Sequence, residues 1–290
     1  MNGILVIDKP AGLTSFDVVA KVRRTLHTKK CGHTGTLDPM ATGVLPILLG
    51  SATKLSPFLM DSKKEYIATM LLGRDTDTLD ITGTTTQTVA PEDIKVTEAE
   101  VRTAMGLFLG ENLQEPPMYS ALKKDGKRLY DLARAGITLE LEKRPVTIYE
   151  LELLDMELPY ITFRAVTSKG TYIRSLIRDL GKELGVPSVM SALRRTMTGG
   201  FGLDQAVTLE ELDSVGIIDK IIQVEEPLLV YPELLLDDSF IGLLKNGVKL
   251  KDGRAVSGLK QGSYRIKTKA GEFIGLADYT NEELVLTWRL

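Results

Sequence analysis

Asp38 is the side chain in this 290-residue chain whose setting most suggests chemistry. It sits in Cys31-Gly-His-Thr-Gly-Thr-Leu-Asp38-Pro-Met-Ala-Thr-Gly-Val-Leu-Pro46, a stretch with three glycines, two prolines and three threonines. That composition predicts a shaped loop rather than the middle of a helix or strand. Pro39 pushes Asp38 toward extended backbone, while Gly32, Gly35 and Gly43 allow conformations or close approaches that a side chain forbids. A carboxylate held in one posture can act as a nucleophile or stabilise a cation. The same residues also suit an ordinary connecting turn built on Asp-Pro, and composition alone does not separate the two readings.

The remaining inventory narrows the chemistry. With two histidines, one cysteine and no Gly-rich phosphate loop after a strand, the chain is poorly equipped for zinc hydrolysis, Ser-His-Asp catalysis or cofactor redox chemistry. No metal site and no cofactor are expected. The acids of Arg74-Asp-Thr-Asp-Thr-Leu-Asp80 are spaced like a calcium loop, but the glycine and terminal glutamate of an EF-hand are missing, so a polar loop is expected there.

The elements that must position Asp38 follow from apolar spacing. Gly3 to Ile7 reads as a buried strand, Lys9-Pro10-Ala11-Gly12 as a turn, and Thr14 or Ser15 as the N-cap of a helix with Val18, Val19, Val22 and Leu26 inward. Val44 to Leu49 is core, Thr53 to Met60 a short helix interrupted by Pro57, and the alternation around Tyr66 and Ala68 a strand. Thr97-Glu-Ala-Glu100 opens a helix to about Leu109. Residues 116 to 136 interleave Tyr119 and Tyr130 with Lys123, Lys124, Lys127 and Arg128, a pattern suited to stacking and phosphate binding or to a packed hairpin with surface lysines. Strands over 146–153 and 161–167 precede a helix with Ile173, Leu176, Ile177 and Leu180 inward and Arg174 and Arg178 on another face. From about 240 to 290, short alternating runs between turns predict a small all-β module.

The net charge of −3 hides an asymmetry. Residues 204–238 hold ten acids against the single Lys220, which leaves thirty-five basic and twenty-nine acidic side chains elsewhere. Two acid-free basic runs, Lys21 to Lys30 and Arg164 to Arg178, flank the candidate site and suit phosphate contacts. The chain is 43% apolar and 26% charged, as in ordinary globular proteins. It has no signal peptide and no stretch near the ~20 apolar residues of a membrane span, so a cytoplasmic location is expected.

Gly32-His33-Thr34-Gly35-Thr36-Leu37-Asp38-Pro39, preceded by Leu5-Val-Ile-Asp-Lys9-Pro10-Ala-Gly-Leu-Thr-Ser15, resembles the bacterial TruB family, the tRNA pseudouridine-55 synthases. Lys64-Glu-Tyr66-Ile-Ala68, Pro116-Pro-Met-Tyr-Ser-Ala-Leu-Lys123, Ser168-Lys-Gly-Thr-Tyr172-Ile-Arg174-Ser-Leu176 and Leu193-Arg-Arg-Thr196 extend the resemblance, in the family's order, over roughly residues 3 to 200. It implies an α+β fold with a mixed, mainly antiparallel central sheet. The catalytic domain would be 1–238, with an RNA-binding insertion at about 74–145, and 239–290 a PUA-like β domain.

The resemblance also implies roles. Asp38 would be the catalytic acid, Arg174 its ion-pair partner holding its pKa down, and Tyr66 the aromatic on the target uracil with its hydroxyl near C5. His33 would insert into the T-loop, Tyr172 close the arginine side, Leu193 wall the base pocket, and Lys123, Lys124 and Arg128 bind RNA. Lys9-Pro10 would brace the catalytic loop. The partner would be the T-arm stem-loop of tRNA, bound by a monomer needing no obligate protein partner. Cys31 invites comparison with thiolates that add to pyrimidine C6, but only Lys29 and Lys30 stand near enough to lower its pKa. Two other readings remain at this point: a tRNA-binding or folding chaperone without essential catalysis, and guide-RNA-dependent pseudouridylation.

Overall fold

The computed structural model describes residues 1–60, 62–120, 122–124, 126–137 and 139–290; the side chains of Lys123 and Arg128 lie outside the described set. Chain order begins β1 (Gly3–Lys9), α1 (Ser15–Thr25), β2 (Cys31–His33), β3 (Thr42–Leu49), α2 (Ser56–Met60) and β4 (Lys64–Leu72). A hairpin of β5 (Arg74–Thr76) and β6 (Thr85–Thr88) follows, then α3 (Glu98–Leu107), β7 (Gly110–Gln114), a second hairpin of β8 (Lys123–Lys124) and β9 (Lys127–Arg128), and α4 (Leu129–Arg134). Next come β10 (Arg144–Glu157), β11 (Tyr160–Thr167), α5 (Ile173–Glu183), β12 (Ser188–Thr198) and β13 (Phe201–Gly202). The chain finishes with β14 (Glu233–Leu236), α6 (Asp238–Lys245), α7 (Gly253–Val256), β15 (Gly262–Thr268), β16 (Phe273–Thr280) and β17 (Glu283–Arg289).

The main sheet runs β1-β3-β12-β4-β11-β10-β7, with β2 on β3 and β13 on β12. Every pairing is antiparallel except β3 with β12. The mixed, mainly antiparallel sheet expected from the sequence is therefore present. Strand β7 lies within the expected insertion yet extends this sheet at its edge. Leu5 and Ile7 of β1 and Leu45 and Ile47 of β3 face a core shared with Val18 and Val22 of α1 and Leu176 and Ile177 of α5. Ile4, Val6, Val44 and Leu48 face the other way, onto Leu55, Phe201, Leu276 and Trp288. Burial on both faces explains why these strands read as continuous apolar runs.

Helix starts match their sequence signals. Thr14 accepts from the Asp17 N–H and Asp17 from the Thr14 N–H, and Thr97 and Glu100 form the same reciprocal cap on α3. The module near the C-terminus is a four-stranded sheet, β14-β15-β16-β17, accompanied by the short helices α6 and α7. Its first strand starts at Glu233, ahead of the expected boundary at 239, because Leu234 and Leu236 pair in parallel with β15.

The stretch around Asp38 needs a correction. Cys31–His33 and Thr42–Leu49 are strands, so the loop proper is 34–41. Pro46 is tolerated inside β3 because its edge changes partner there: β12 reaches only Gly43, β2 begins at Ile47, and the Pro46 carbonyl accepts from the Thr34 N–H at 3.3 Å. Gly43 has φ +103°, and a Cβ there would lie 2.1 Å from the Arg195 carbonyl oxygen. A side chain would force apart the parallel junction that carries the loop. Gly43→Ala should lower stability by about 2–4 kcal/mol, from strain plus displaced backbone; urea unfolding checks this, and an unchanged midpoint would contradict it.

Candidate active site

The Asp38 loop is held by its backbone. Lys9 is fully buried and its ammonium donates to the carbonyls of Pro10, Leu13 and Pro39 at 2.8, 2.7 and 3.2 Å. Three N–H donors meet three carbonyls, which accounts for a lysine in this place. Burial pulls its pKa down to about 8, with Arg195 adding to the fall and Asp38 and Asp17 opposing it. Ser15 Oγ accepts from the Leu37 N–H at 2.9 Å and lies 3.2 Å from the Leu37 carbonyl, while the Gly12 N–H donates to the Pro39 carbonyl at 2.8 Å. Arg195, on β12, donates from Nη2 to Gly35 and from Nη1 to Thr36, at 3.2 and 3.4 Å. A turn closed by the Ala41 N–H on the Asp38 carbonyl completes the bend.

Asp38 meets Arg174 of α5 in a two-point ion pair, Nε to Oδ2 at 2.9 Å and Nη2 to Oδ1 at 3.2 Å. The guanidinium is 6% exposed and the carboxylate 34%, so the arginine is fixed while the acid remains reachable. Arg174 also donates to the carbonyls of Thr78 and Tyr119 at 3.0 and 2.9 Å, and Asp80 Oδ2 stands 3.8 Å from its Nη1. Asp80 is held in turn by Thr78 and Thr82, whose hydroxyls donate to its Oδ1 at 2.9 and 2.5 Å. The site thus joins the Asp38 loop, the β5–β6 hairpin, the 115–120 segment and the start of α5.

The electrostatics differ from the sequence expectation in one respect. Burial raises the Asp38 pKa; Arg174 opposes the rise without overcoming it, Asp80 adds to it and Lys9 opposes it. The arginine offsets desolvation rather than carrying the acid below its ordinary range. A raised native pKa means the folded protein holds the proton more tightly than the unfolded chain. This group's contribution to stability therefore declines as pH rises from the ordinary carboxylate value through the raised one.

Tyr66 lies on β4, 6% exposed, directly across from Arg195 and with Leu193 two positions along β12 opposite Ala68. Burial raises the Tyr66 pKa, opposed by Arg195. Leu193 shares the apolar core with Tyr66. His33 ends β2, and its Nδ1 accepts from the Gly35 N–H at 3.2 Å; burial and Arg195 lower its pKa, so the ring is neutral at neutral pH. Tyr172 precedes α5 with its backbone clamped by Gln114, which accepts from the Tyr172 N–H at 2.8 Å and donates to its carbonyl at 3.1 Å. Lys124 sits exposed on β8 with its amine 3.4 Å from the Glu140 carbonyl, joined to none of these groups, whereas the side chains of Lys123 and Arg128 fall outside the described set.

The two basic runs fare differently. Arg164 is neutralised by Glu65, Glu150 and Glu152, Arg174 by Asp38, and Arg178 by Asp179, so the second run offers little free charge. In the first run Arg23, Arg24, Lys29 and Lys30 are exposed. Asp80, Gln114 and Arg195 were given no role from the sequence. Asp80 hid in a run whose only visible pattern was metal-like, yet no group of metal-ligating side chains occurs among the described residues. Arg195 hid in a strand where a charged side chain reads as surface.

A family model described as TruB family pseudouridylate synthase (N terminal domain) matches residues 23–173, and one described as tRNA pseudouridylate synthase B C-terminal domain matches residues 174–230. Proteins named tRNA pseudouridine synthase B from Clostridium kluyveri and Clostridium tetani are similar at 45% identity over 277 residues (95% of either chain) and 46% over 283 (97% of either chain). Among solved structures, a chain of an H/ACA RNP bound to a substrate RNA containing 2'-deoxyuridine aligns with TM-score 0.73 and 28% identity, covering 99% of this chain and 84% of that one. A chain of a Cbf5-Nop10-Gar1 complex aligns with TM-score 0.73 and 30% identity, covering 96% and 78%.

The charge layout predicts that Asp80→Asn, which keeps acceptors for Thr78 and Thr82 but removes a negative charge, lowers the Asp38 pKa. Carbon-13 titration of the Asp38 carboxyl reads this directly. An unmoved or raised midpoint would contradict the assigned coupling.

Proposed function

The chain belongs to the TruB family of pseudouridylate synthases, isomerases that convert uridine to pseudouridine in tRNA, and we propose that its target is uridine-55 of the T-arm and its acting group Asp38. The observation that carries the assignment is the two-point Asp38–Arg174 pair, with the acid still one-third exposed on a loop immobilised by Lys9, Ser15 and Arg195. The reaction breaks the bond from ribose C1' to uracil N1, turns the base, and joins C1' to C5; C5 then gives up its proton and N1 ends protonated, so the product is an isomer. A carboxylate is suited to trap or stabilise the electron-poor partner after the first step, and a fixed arginine aims it and offsets part of the desolvation that disfavours its ionised form.

The flanking residues divide the remaining work. Tyr66 and Leu193 provide an aromatic face and an apolar wall for the detached base, with the Tyr66 hydroxyl as the group near C5. His33, neutral and anchored through Nδ1 to Gly35, serves as a wedge in the T-loop; flipping a base costs a few kcal/mol, which filling its place and binding it offset. Tyr172 lines the arginine side. Arg23, Arg24, Lys29 and Lys30 supply phosphate contacts, and the β8–β9 hairpin with Lys123, Lys124 and Arg128 a second RNA contact. The catalytic unit extends to about residue 232 and the β module follows. No helix among the described residues is long and apolar enough to cross a membrane, and we place the enzyme in the cytoplasm as a monomer.

The solved relative in an H/ACA RNP favours a guide-dependent reading as the alternative, and a purified-protein assay separates the two. The protein is incubated with a T-arm stem-loop transcript, without guide RNA or other protein, and pseudouridine is mapped with carbodiimide. Modification at the position of uridine-55 is expected. Asp38→Asn should reduce the rate at least about a thousandfold, as removal of an acting group does. Cys31→Ala should stay within about twofold of wild type, because burial pushes the Cys31 thiol up to about 11 and leaves little thiolate at neutral pH. Wild-type protein that binds the stem-loop without modifying it would favour a chaperone instead.

A further inference from the structure

Arg174 stands in the first turn of α5, the part of a helix that frays most readily when no side chain caps it. Tyr172, the N-cap, makes no capping hydrogen bond through its side chain, and Gly170 just before it has φ +79°. Support comes instead from another part of the chain. Gln114, 6% exposed at the end of β7, accepts from the Tyr172 N–H through Oε1 at 2.8 Å and donates from Nε2 to the Tyr172 carbonyl at 3.1 Å. The residues that follow continue along the same turn. The Glu115 carbonyl accepts from Ser175 Oγ at 2.8 Å and from Arg178 Nη2 at 3.3 Å, and the Tyr119 carbonyl accepts from Arg174 Nη2 at 2.9 Å.

A glutamine amide has the donor and the acceptor of a peptide group, so Gln114 pairs with the Tyr172 backbone as a neighbouring strand would. Packing alone does not require it, because a methionine fills a similar volume without burying an amide. Two hydrogen bonds to one residue set both the position and the tilt of the peptide from which α5 starts. Arg174 follows two residues later, and its side-chain direction turns with that start. We propose that Gln114 is a positioning residue of the isomerisation, clamping the start of α5 so that Arg174 aims its fork at Asp38. The inference rests on the reading that Asp38, held by Arg174, acts on the uracil. It assigns Gln114 no contact with RNA, so its loss should slow the reaction and leave binding alone.

The test is a double-mutant cycle with the full chain: wild type, Gln114→Met, Arg174→Lys and the pair, on the T-arm stem-loop. Single-turnover rate at saturating enzyme, RNA Kd and melting temperature are measured for each. Gln114→Met, which keeps the volume but loses both hydrogen bonds, should slow the reaction at least about tenfold while Kd stays within about twofold. Added to Arg174→Lys it should cost no more than about twofold further, because the fork that it aims is gone. Carbon-13 titration of the Asp38 carboxyl in Gln114→Met should show a higher midpoint than wild type, since a loosened Arg174 opposes desolvation less. If Gln114→Met does not fold, Gln114→Glu, which keeps the acceptor for the Tyr172 N–H but loses the donor to its carbonyl when ionised, is judged by the same criteria. Equal penalties in both backgrounds, a loss in Kd instead of rate, or an unmoved Asp38 midpoint would overturn the proposal, while Asp38→Asn would still judge the functional reading separately. Wild-type protein that makes no pseudouridine would remove both.

Discussion

The pairing of Asp38 with Arg174 joins two points 136 residues apart, and much of the fold exists to bring them together and keep them there. An acid removed from water is costly unless a cation shares its burial. The arginine supplies that share, but it is itself almost sealed and needs acceptors for its other N–H groups. Carbonyls of Thr78 and Tyr119 provide them, which ties the β5–β6 hairpin and the 115–120 segment to the same point. A loop, a helix start and two peripheral segments therefore have one geometry to agree on.

Cations do the bracing elsewhere too. Lys9 and Arg195 are both buried, neither has a carboxylate within salt-bridge distance among the described residues, and both donate to backbone carbonyls around the loop. Backbone carbonyls in a tight bend cannot pair with a neighbouring strand, and a bend sheltered from water must find donors in side chains. Using charged donors strengthens each hydrogen bond and places positive potential around an acid that burial would otherwise neutralise. The loop is rigid and electropositive for the same reason.

Much of this was readable from the chain because the signals were local or lay in long matched blocks. The capping boxes at Thr14 and Thr97, the continuous apolar runs of β1 and β3, and the inward row Ile173, Leu176, Ile177 and Leu180 each depend on neighbours in sequence. Asp38, Arg174 and Tyr66 were found through a resemblance whose blocks cover most of the chain, and Lys9 as a brace came the same way. What escaped depends on partners distant in sequence. Pro46 looked like a strand breaker because the change of neighbour along β3 is set by residues 31–33 and 194–195. The settings of Asp80 and Arg195 are not legible because Asp80 faces Arg174 and Arg195 donates to the Val44 carbonyl, partners far away in the chain. Sequence shows the partner of Asp38 but not its depth of burial, and burial is what sets the direction of its pKa.

The far face of β1 and β3 is covered by Leu276 and Trp288, and the Trp288 ring stacks on Phe273 at a centroid distance of 6.0 Å. The strands that aim the loop thus receive part of their cover from residues far later in the chain. Until residues 276–288 have been synthesised, an apolar strip beside the emerging fold stays open to water and to chaperones. The acid, the tyrosine and the arginine of the site thus all precede, in chain order, the residues that close the scaffold beneath them.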